Sequence, residues 1–172
     1  MNASTTDKKP KLLYVDDEAD NLLVFKKAFN RDFEISTNVS AVAALEILET
    51  ETFDIIVSDQ RMPEMTGVSF FQQINEKKMK GARLLLTGYS DMQAIIDAVN
   101  KGHIYSYCTK PWSADELKLT LKMAYEHSKI SQSSNQFSPD VARELREIQK
   151  HNEASLEILK NIYPTHPDLE LT

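Results

Sequence analysis

The chain has one cysteine, four glycines and one tryptophan in 172 residues, and each scarcity removes a class of protein. A lone thiol, Cys108, cannot close an intrachain disulfide, and no Cys and His residues fall at zinc-ligand spacing, so neither staple holds the fold. That composition suits a reducing cytoplasm. With so few glycines, the turn after the first strand-like segment is Asp16-Asp17-Glu18-Ala19. An acidic turn repels a pyrophosphate, which excludes a dinucleotide-binding oxidoreductase. Long apolar runs are also missing: Leu12 to Val15 and Ile55 to Val57 are far too short to cross a bilayer. The leading MNASTTDKKPK is polar where a secretory signal needs an apolar stretch, so a soluble chain with no membrane insertion is expected.

An excess of positive charge is absent as well, because 20 Lys and Arg face 26 Asp and Glu, for a net charge of -6. Residues 139–172 hold four Arg/Lys against seven Asp/Glu and residues 1–138 hold 16 against 19, so each part carries -3. Neither offers the concentrated basic surface that a phosphate backbone requires, and direct nucleic-acid binding is not expected. What is present is material for a core: 41% of residues are apolar and 27% charged. That balance excludes disorder throughout, and the length fits one domain with an appendage or two very small domains.

Strand-like segments occur at Lys11 to Val15, Phe33 to Thr37, Phe53 to Ser58, Arg83 to Thr87 and Ile104 to Cys108. Each is followed by a helical pattern, at about 19–30, 40–50, 67–78, 91–101 and 113–130. Apolar residues recur every three or four positions in these helices, as in Leu22, Phe25, Ala28 and Phe29, and such stripes cover a sheet. Alternation of strand and helix predicts an α/β fold with a doubly wound, five-stranded parallel sheet, since parallel strands need helical crossovers. The binding crevice of such a sheet lies beyond the carboxyl ends of its strands.

The side chains expected at that edge are Asp16 and Asp17, then Asp59, Thr87 and Lys110. Three carboxylates in one crevice repel unless a cation sits among them. Mg²⁺ suits them, being hard, oxygen-seeking and accustomed to sharing its shell with water and a phosphate. Lys110 adds a positive charge and Thr87 a hydroxyl donor, so the set can hold a phosphoryl group.

Residues from about 9 to 131 resemble the receiver domain of two-component response regulators. The resemblance rests on the pair Asp16-Asp17, Asp59, Met62-Pro63 with Gly67, Thr87-Gly88, Tyr107 and Lys110-Pro111. It implies the flavodoxin-like receiver fold and a phosphoacceptor role for Asp59, supplied by a sensor histidine kinase or phosphotransfer protein. It also implies a Mg²⁺ ion held by Asp17 and Asp59, by Asp16 through water and by the Arg61 backbone carbonyl. Lys110 would neutralise the transferred group, and Thr87 and Tyr107 would switch packing once it arrives. Such a chain is a signalling phosphoacceptor, not an enzyme acting on other molecules. Arg61 and Tyr89, two residues beyond Asp59 and Thr87, are placed to flank the path of hydrolytic water. The segments Asp59 to Gly67 and Thr87 to Asp91 further resemble receivers attached to cyclic-nucleotide-related or other enzymatic outputs.

A Mg²⁺-dependent phosphatase of the haloacid dehalogenase type also uses an Asp nucleophile, but it needs a second Asp two residues on, where this chain has Arg61. Histidines 103, 127, 151 and 166 form no evident base or metal set, and Trp112 is expected to pack over the loop before the last sheet helix. The polar stretch from Ser131 to Ser138 divides the chain into a receiver at 1–131, a linker at 132–138 and a helical extension at 139–172. Ser138-Pro139 opens the extension's helix, and Pro164 and Pro167 close it. Val141, Leu145, Ile148, Leu156, Leu159 and Ile162 or Tyr163 form its apolar stripe, interrupted by Asn152. This stripe either folds back on the receiver or pairs with a second copy, and the polar linker and central Asn favour a homodimer through residues 139–163. A third possibility is that the chain is the regulatory front part of a larger output enzyme.

Overall fold

A computed structural model describes residues 8–88, 91, 95, 96, 98, 99 and 103–132. The elements in chain order are β1 (Lys11–Val15), α1 (Ala19–Phe29), β2 (Glu34–Asn38), α2 (Ala41–Thr50) and β3 (Ile55–Asp59). After them come α3 (Gly67–Glu76), β4 (Ala82–Thr87), β5 (Ser106–Thr109) and α4 (Ala114–Gln132). The five strands form one sheet in the order β2-β1-β3-β4-β5, every neighbouring pair parallel. The doubly wound α/β sheet read from the sequence is the observed one, and its order brings together the four strands that carry the candidate side chains.

Period-two alternation divides the core. Leu13, Val15, Ile56 and Leu85 pack on one face with Ala44, Leu48, Phe70 and Ile74 of α2 and α3. Leu12, Tyr14, Ile55, Val57, Leu84 and Leu86 pack on the other with Phe25 and Phe29 of α1 and Leu117 and Leu121 of α4. β3 is buried along its whole length, as a central parallel strand covered on both faces must be. Hydroxyl side chains cap two helices: Ser40 accepts from the Ala43 N–H at 3.3 Å and Thr66 from the Ser69 N–H at 3.2 Å. Trp112 does more than cover its own loop, since its ring lies 5.7 Å from that of Phe29 and 6.2 Å from that of Phe25.

Several boundaries differ from the sequence reading. β3 starts at Ile55 and not at Phe53, and β5 starts at Ser106 and not at Ile104. The helix expected over 67–78 ends at Glu76, because Lys78 turns to a φ of 54° and breaks the helical run. Residue 132, assigned to the linker, is helical: α4 continues to Gln132, and no Pro or Gly lies between Lys129 and Gln132 to stop it. Of the helix expected at 91–101, Ile95, Ile96, Ala98 and Val99 are helical. Asp91, at its start, lies in a short 3-10 turn; the other positions of that segment, Tyr89 and the helix expected at 139–163 with Asn152 lie outside the described residues.

Candidate functional site

β1 ends on Val15, and the chain delivers Asp16 and Asp17 to its carboxyl edge; β3 ends on Asp59 and β4 on Thr87. Lys110 follows β5 across a backbone bond from its N–H to the Thr87 carbonyl at 2.7 Å. Asp16 is 1% exposed, Asp59 7% and Thr87 1%. Two acids buried this far need cations or donors, and one ammonium serves both: Lys110 Nζ lies 2.5 Å from Asp59 Oδ1 and 3.0 Å from Asp16 Oδ2. Burial pulls the Lys110 ammonium down, but hydrogen bonds and charge from Asp59 and then Asp16 raise it above the ordinary lysine value.

The rest of the Asp16 carboxylate is held from other directions. Oδ1 accepts from the Glu18 N–H at 3.0 Å and from Asn21 Nδ2 at 3.0 Å, and Oδ2 accepts from the Tyr14 hydroxyl at 2.5 Å. Burial pushes this carboxyl up, yet Tyr14, Asn21, Glu18 and Lys110 together hold it below the usual carboxylate range. Asp59 Oδ2 accepts from the Arg61 N–H at 2.6 Å. Asp17 is exposed beside them. The Thr87 hydroxyl donates to the Gly88 carbonyl at 3.1 Å, and half-buried Tyr107, paired with Leu85 in the sheet, packs against the core face shared by α2 and α3.

Position and chemistry bear differently on a metal. Among the described residues no group of three or more His, Cys, Asp or Glu side chains is arranged as a metal cage. Mg²⁺ does not require one, because it keeps most of its waters and takes one or two carboxylates with a phosphate oxygen. Asp16 and Asp59 already converge on one cation, the Lys110 ammonium, with Asp17 next in sequence at the exposed rim. The donor set is hard oxygen, and it fits the ion.

Four residues of the site were not singled out from the sequence. Tyr14 was legible in principle, since two residues before Asp16 along a strand is the same face. Asn21 lies on the first turns of α1, within reach of Asp16. Buried Gln60 ties the loop after Asp59 to α3: its carbonyl accepts from the Gly67 N–H at 3.0 Å and its Oε1 from the Val68 N–H at 3.1 Å. Asp91 pairs with Arg61, Nε to Oδ2 at 3.0 Å and Nη2 to Oδ1 at 3.1 Å, and no local spacing announces that pair.

A parallel sheet that gathers an acid pair, a third acid, a hydroxyl and a lysine at its carboxyl edge is the frame of a phosphorylation-controlled signalling receiver. The chain belongs to the response regulator receiver domain family, whose sequence model matches residues 12–122. It is similar to the hydrogenase transcriptional regulatory protein HoxA of Bradyrhizobium diazoefficiens, with 32% identity over 88% of this chain and 31% of the relative. HoxA of Cupriavidus necator is 36% identical over 70% of this chain and 25% of its own length. The chain therefore spans about a third or less of these relatives. Among solved structures, the signal receiver domain of an HD domain-containing protein from Pseudomonas fluorescens Pf-5 superposes with a TM-score of 0.66. It is 31% identical, and the match covers 71% of this chain and 98% of that one.

Proposed function

We propose that Asp59 accepts a phosphoryl group from the phosphohistidine of a sensor histidine kinase or phosphotransfer protein. The observation that carries this is the Lys110 ammonium shared by Asp16 and Asp59 at the carboxyl edge of the sheet. An Asp59 carboxylate oxygen forms the new O–P bond while the P–N bond to imidazole breaks, and the leaving imidazole takes the electron pair. The Arg61 N–H orients the carboxylate, and Lys110 passes from it to an oxygen of the transferred group. Asp17 and Asp59 would hold Mg²⁺ directly, Asp16 through water and Arg61 through its carbonyl; the bound ion supplies charge neutralisation at the phosphoryl oxygens. The Thr87 hydroxyl then exchanges the Gly88 carbonyl for a phosphoryl oxygen, and Tyr107 turns into the space it leaves.

The product is an acyl phosphate that stores a signal, so the chain's output is a change of association and not turnover of a substrate. We place the receiver at 1–131, extended to the end of α4, followed by a linker and the 139–172 segment, with a homodimer forming through residues 139–163. Among the described residues no helix is long and apolar enough to cross a membrane; the lone Cys108 suits a cytoplasmic location, and the acidic balance favours a protein-binding role without direct nucleic-acid contact. A second reading has a specific basis: since the chain spans 31% of the first HoxA relative, it can serve as the regulatory front part of a longer output protein.

The test is labelling with acetyl phosphate, or binding of beryllofluoride, with and without Mg²⁺. Wild type should be modified only with the metal, and Asp59→Asn should lose the modification. Labelling that survives in Asp59→Asn, or is equal in EDTA, overturns the assignment. Sedimentation of the same samples reads the dimer: one unchanged monomer mass with and without beryllofluoride removes it.

A further inference from the structure

Tyr14 lies on β1 with its ring 1% exposed and its centroid 4.3 Å from that of Phe25. A phenol buried this far needs a partner for its hydroxyl. The partner here is not backbone but Asp16 Oδ2, the same oxygen that accepts from Lys110. Burial first, then the hydrogen bond to Asp16 and the charges of Asp16, Asp59 and Glu18, push the phenol far above its ordinary value, so it stays a donor throughout the physiological range. A continuous chain of polar contacts thus runs from the core to the phosphoacceptor: Tyr14, Asp16, Lys110, Asp59.

We propose that Tyr14 is a positioning residue, whose hydroxyl keeps Asp16 satisfied when Lys110 leaves it for a phosphoryl oxygen on Asp59. The proposal rests on the phosphoacceptor reading above. Phosphorylation cancels the Asp59 carboxylate charge and puts a phosphoryl group of charge near -2 in its place, which draws the ammonium outward. Asp16 Oδ2 then loses its charged partner and keeps only neutral donors, the Tyr14 hydroxyl at 2.5 Å and Asn21 Nδ2 at 3.1 Å, and a buried carboxylate oxygen short of donors is costly. Tyr14 is anchored in the core and cannot follow Lys110, so its hydrogen bond remains.

The same hydroxyl competes with a cation. It occupies a lone pair of Asp16 Oδ2, and a carboxylate stripped of that donor is the better ligand for Mg²⁺ and the stronger partner for Lys110. Removing the hydroxyl should therefore move two observables in opposite directions. Metal should bind more tightly, while phosphorylation at saturating metal should slow because Lys110 is held back on Asp16. A purely structural tyrosine would change stability alone.

The experiment titrates Mg²⁺ into wild type, Tyr14→Phe and Asn21→Ala, read by the fluorescence of Trp112, the one tryptophan of the chain, two residues from Lys110. Labelling by acetyl phosphate is then timed at saturating Mg²⁺; there Asp59 gains the O–P bond and acetate leaves with the electron pair. Tyr14→Phe should bind Mg²⁺ up to about tenfold more tightly and label up to about tenfold more slowly, the scale of one hydrogen bond to a charged group. Asn21→Ala, which removes the other side-chain donor to Asp16, should shift metal affinity the same way by less. Phe25→Leu is the packing control and should lower the urea midpoint without moving the Mg²⁺ constant. If wild type binds metal and labels at Asp59 while Tyr14→Phe matches it within about twofold in both, the Tyr14 proposal is wrong. If wild type does neither, the phosphoacceptor reading itself fails and takes this one with it.

Discussion

The two ends of the sheet both carry charge, and only one of them has the makings of a reaction site. At the amino end, Lys8, Lys9, Lys11 and Lys80 surround a cleft of about 380 Å³ with Asp54 and Tyr125 on its wall. Lys8, Lys9 and Lys80 are exposed, Lys9 donates to the Asn30 carbonyl at 2.9 Å, and Asp54 Oδ2 accepts from the Lys11 N–H at 2.8 Å. The exposed lysines there face solvent. At the carboxyl end, Asp16 and Asp59 are buried and share a single cation, so neither can change its charge without moving Lys110. Coupling of that kind, more than the number of charges or the size of a cavity, makes an edge responsive to a phosphoryl group.

Two glycines, one at each end, give the sharpest test of this difference. A Cβ on Gly67 would stand 2.3 Å from the Asp59 carbonyl oxygen and 2.6 Å from Leu85 Cδ1. The first obstacle is backbone, and it belongs to Asp59, so relief must shift that residue. Gly81, at a φ of 117°, would put its Cβ 2.9 Å from the Phe53 carbonyl oxygen at the opposite end. Both Gly67→Ala and Gly81→Ala should lower stability, by about 3 kcal/mol or more for the first and about 1–3 kcal/mol for the second. Only Gly67→Ala should also weaken beryllofluoride binding. Urea midpoints and binding curves on the two variants decide it, and equal loss of binding in Gly81→Ala would mean that the ends are not independent.

A smaller effect reads the carboxyl end by pH. The fold holds the Asp16 carboxyl below its ordinary value, so its ionised form stabilises the native state. That contribution is fully present above the ordinary carboxylate value of about 4 and is lost as pH falls below it. The urea midpoint of wild type should therefore approach that of Asp16→Asn as pH drops through this range. Parallel acid curves for wild type and Asp16→Asn would show that Asp16 gains nothing from Tyr14, Asn21, Glu18 and Lys110.

These contrasts also explain what could be read without coordinates. Asp16, Asp59, Thr87 and Lys110 were legible because each stands at the end of its own apolar strand, and a parallel sheet sends all such ends to one edge. The layers were legible because Leu12 and Leu13, or Leu84 and Leu85, must face opposite ways. Tyr14 was not singled out, since a strand aromatic hides a hydroxyl whose partner is known only when the carboxylate's orientation is. Gln60 and the Arg61–Asp91 pair depend on loop paths, which periodicity does not describe. The starts of β3 and β5 came out late because Phe53 and Ile104 are buried beside the strands without joining their ladders, and burial alone resembles strand in a sequence.

The smallest expected effect concerns the rim above Asp59, where Arg61 of the loop after β3 grips Asp91 of the loop after β4 through Nε and Nη2. The Arg61 side chain is 69% exposed and Asp91 16%, so water and salt screen the pair, and it should matter little to folding. Its place matters more. It ties the loops after β3 and β4 together beside Asp59, and its planar fork holds the crossing in one geometry. Releasing it should let water reach an acyl phosphate on Asp59 more often. Arg61→Ala and Asp91→Ala should each leave the urea midpoint near that of wild type and shorten the lifetime of the phosphorylated form by about twofold to fivefold. The double variant should be no faster than either single one, because the same bridge is broken in all three. Raising the salt concentration should accelerate wild type toward the variants and leave the variants unchanged. Additive rates in the double variant would show that the two side chains act on water separately, and a wild-type lifetime indifferent to salt would show that the bridge does not control access.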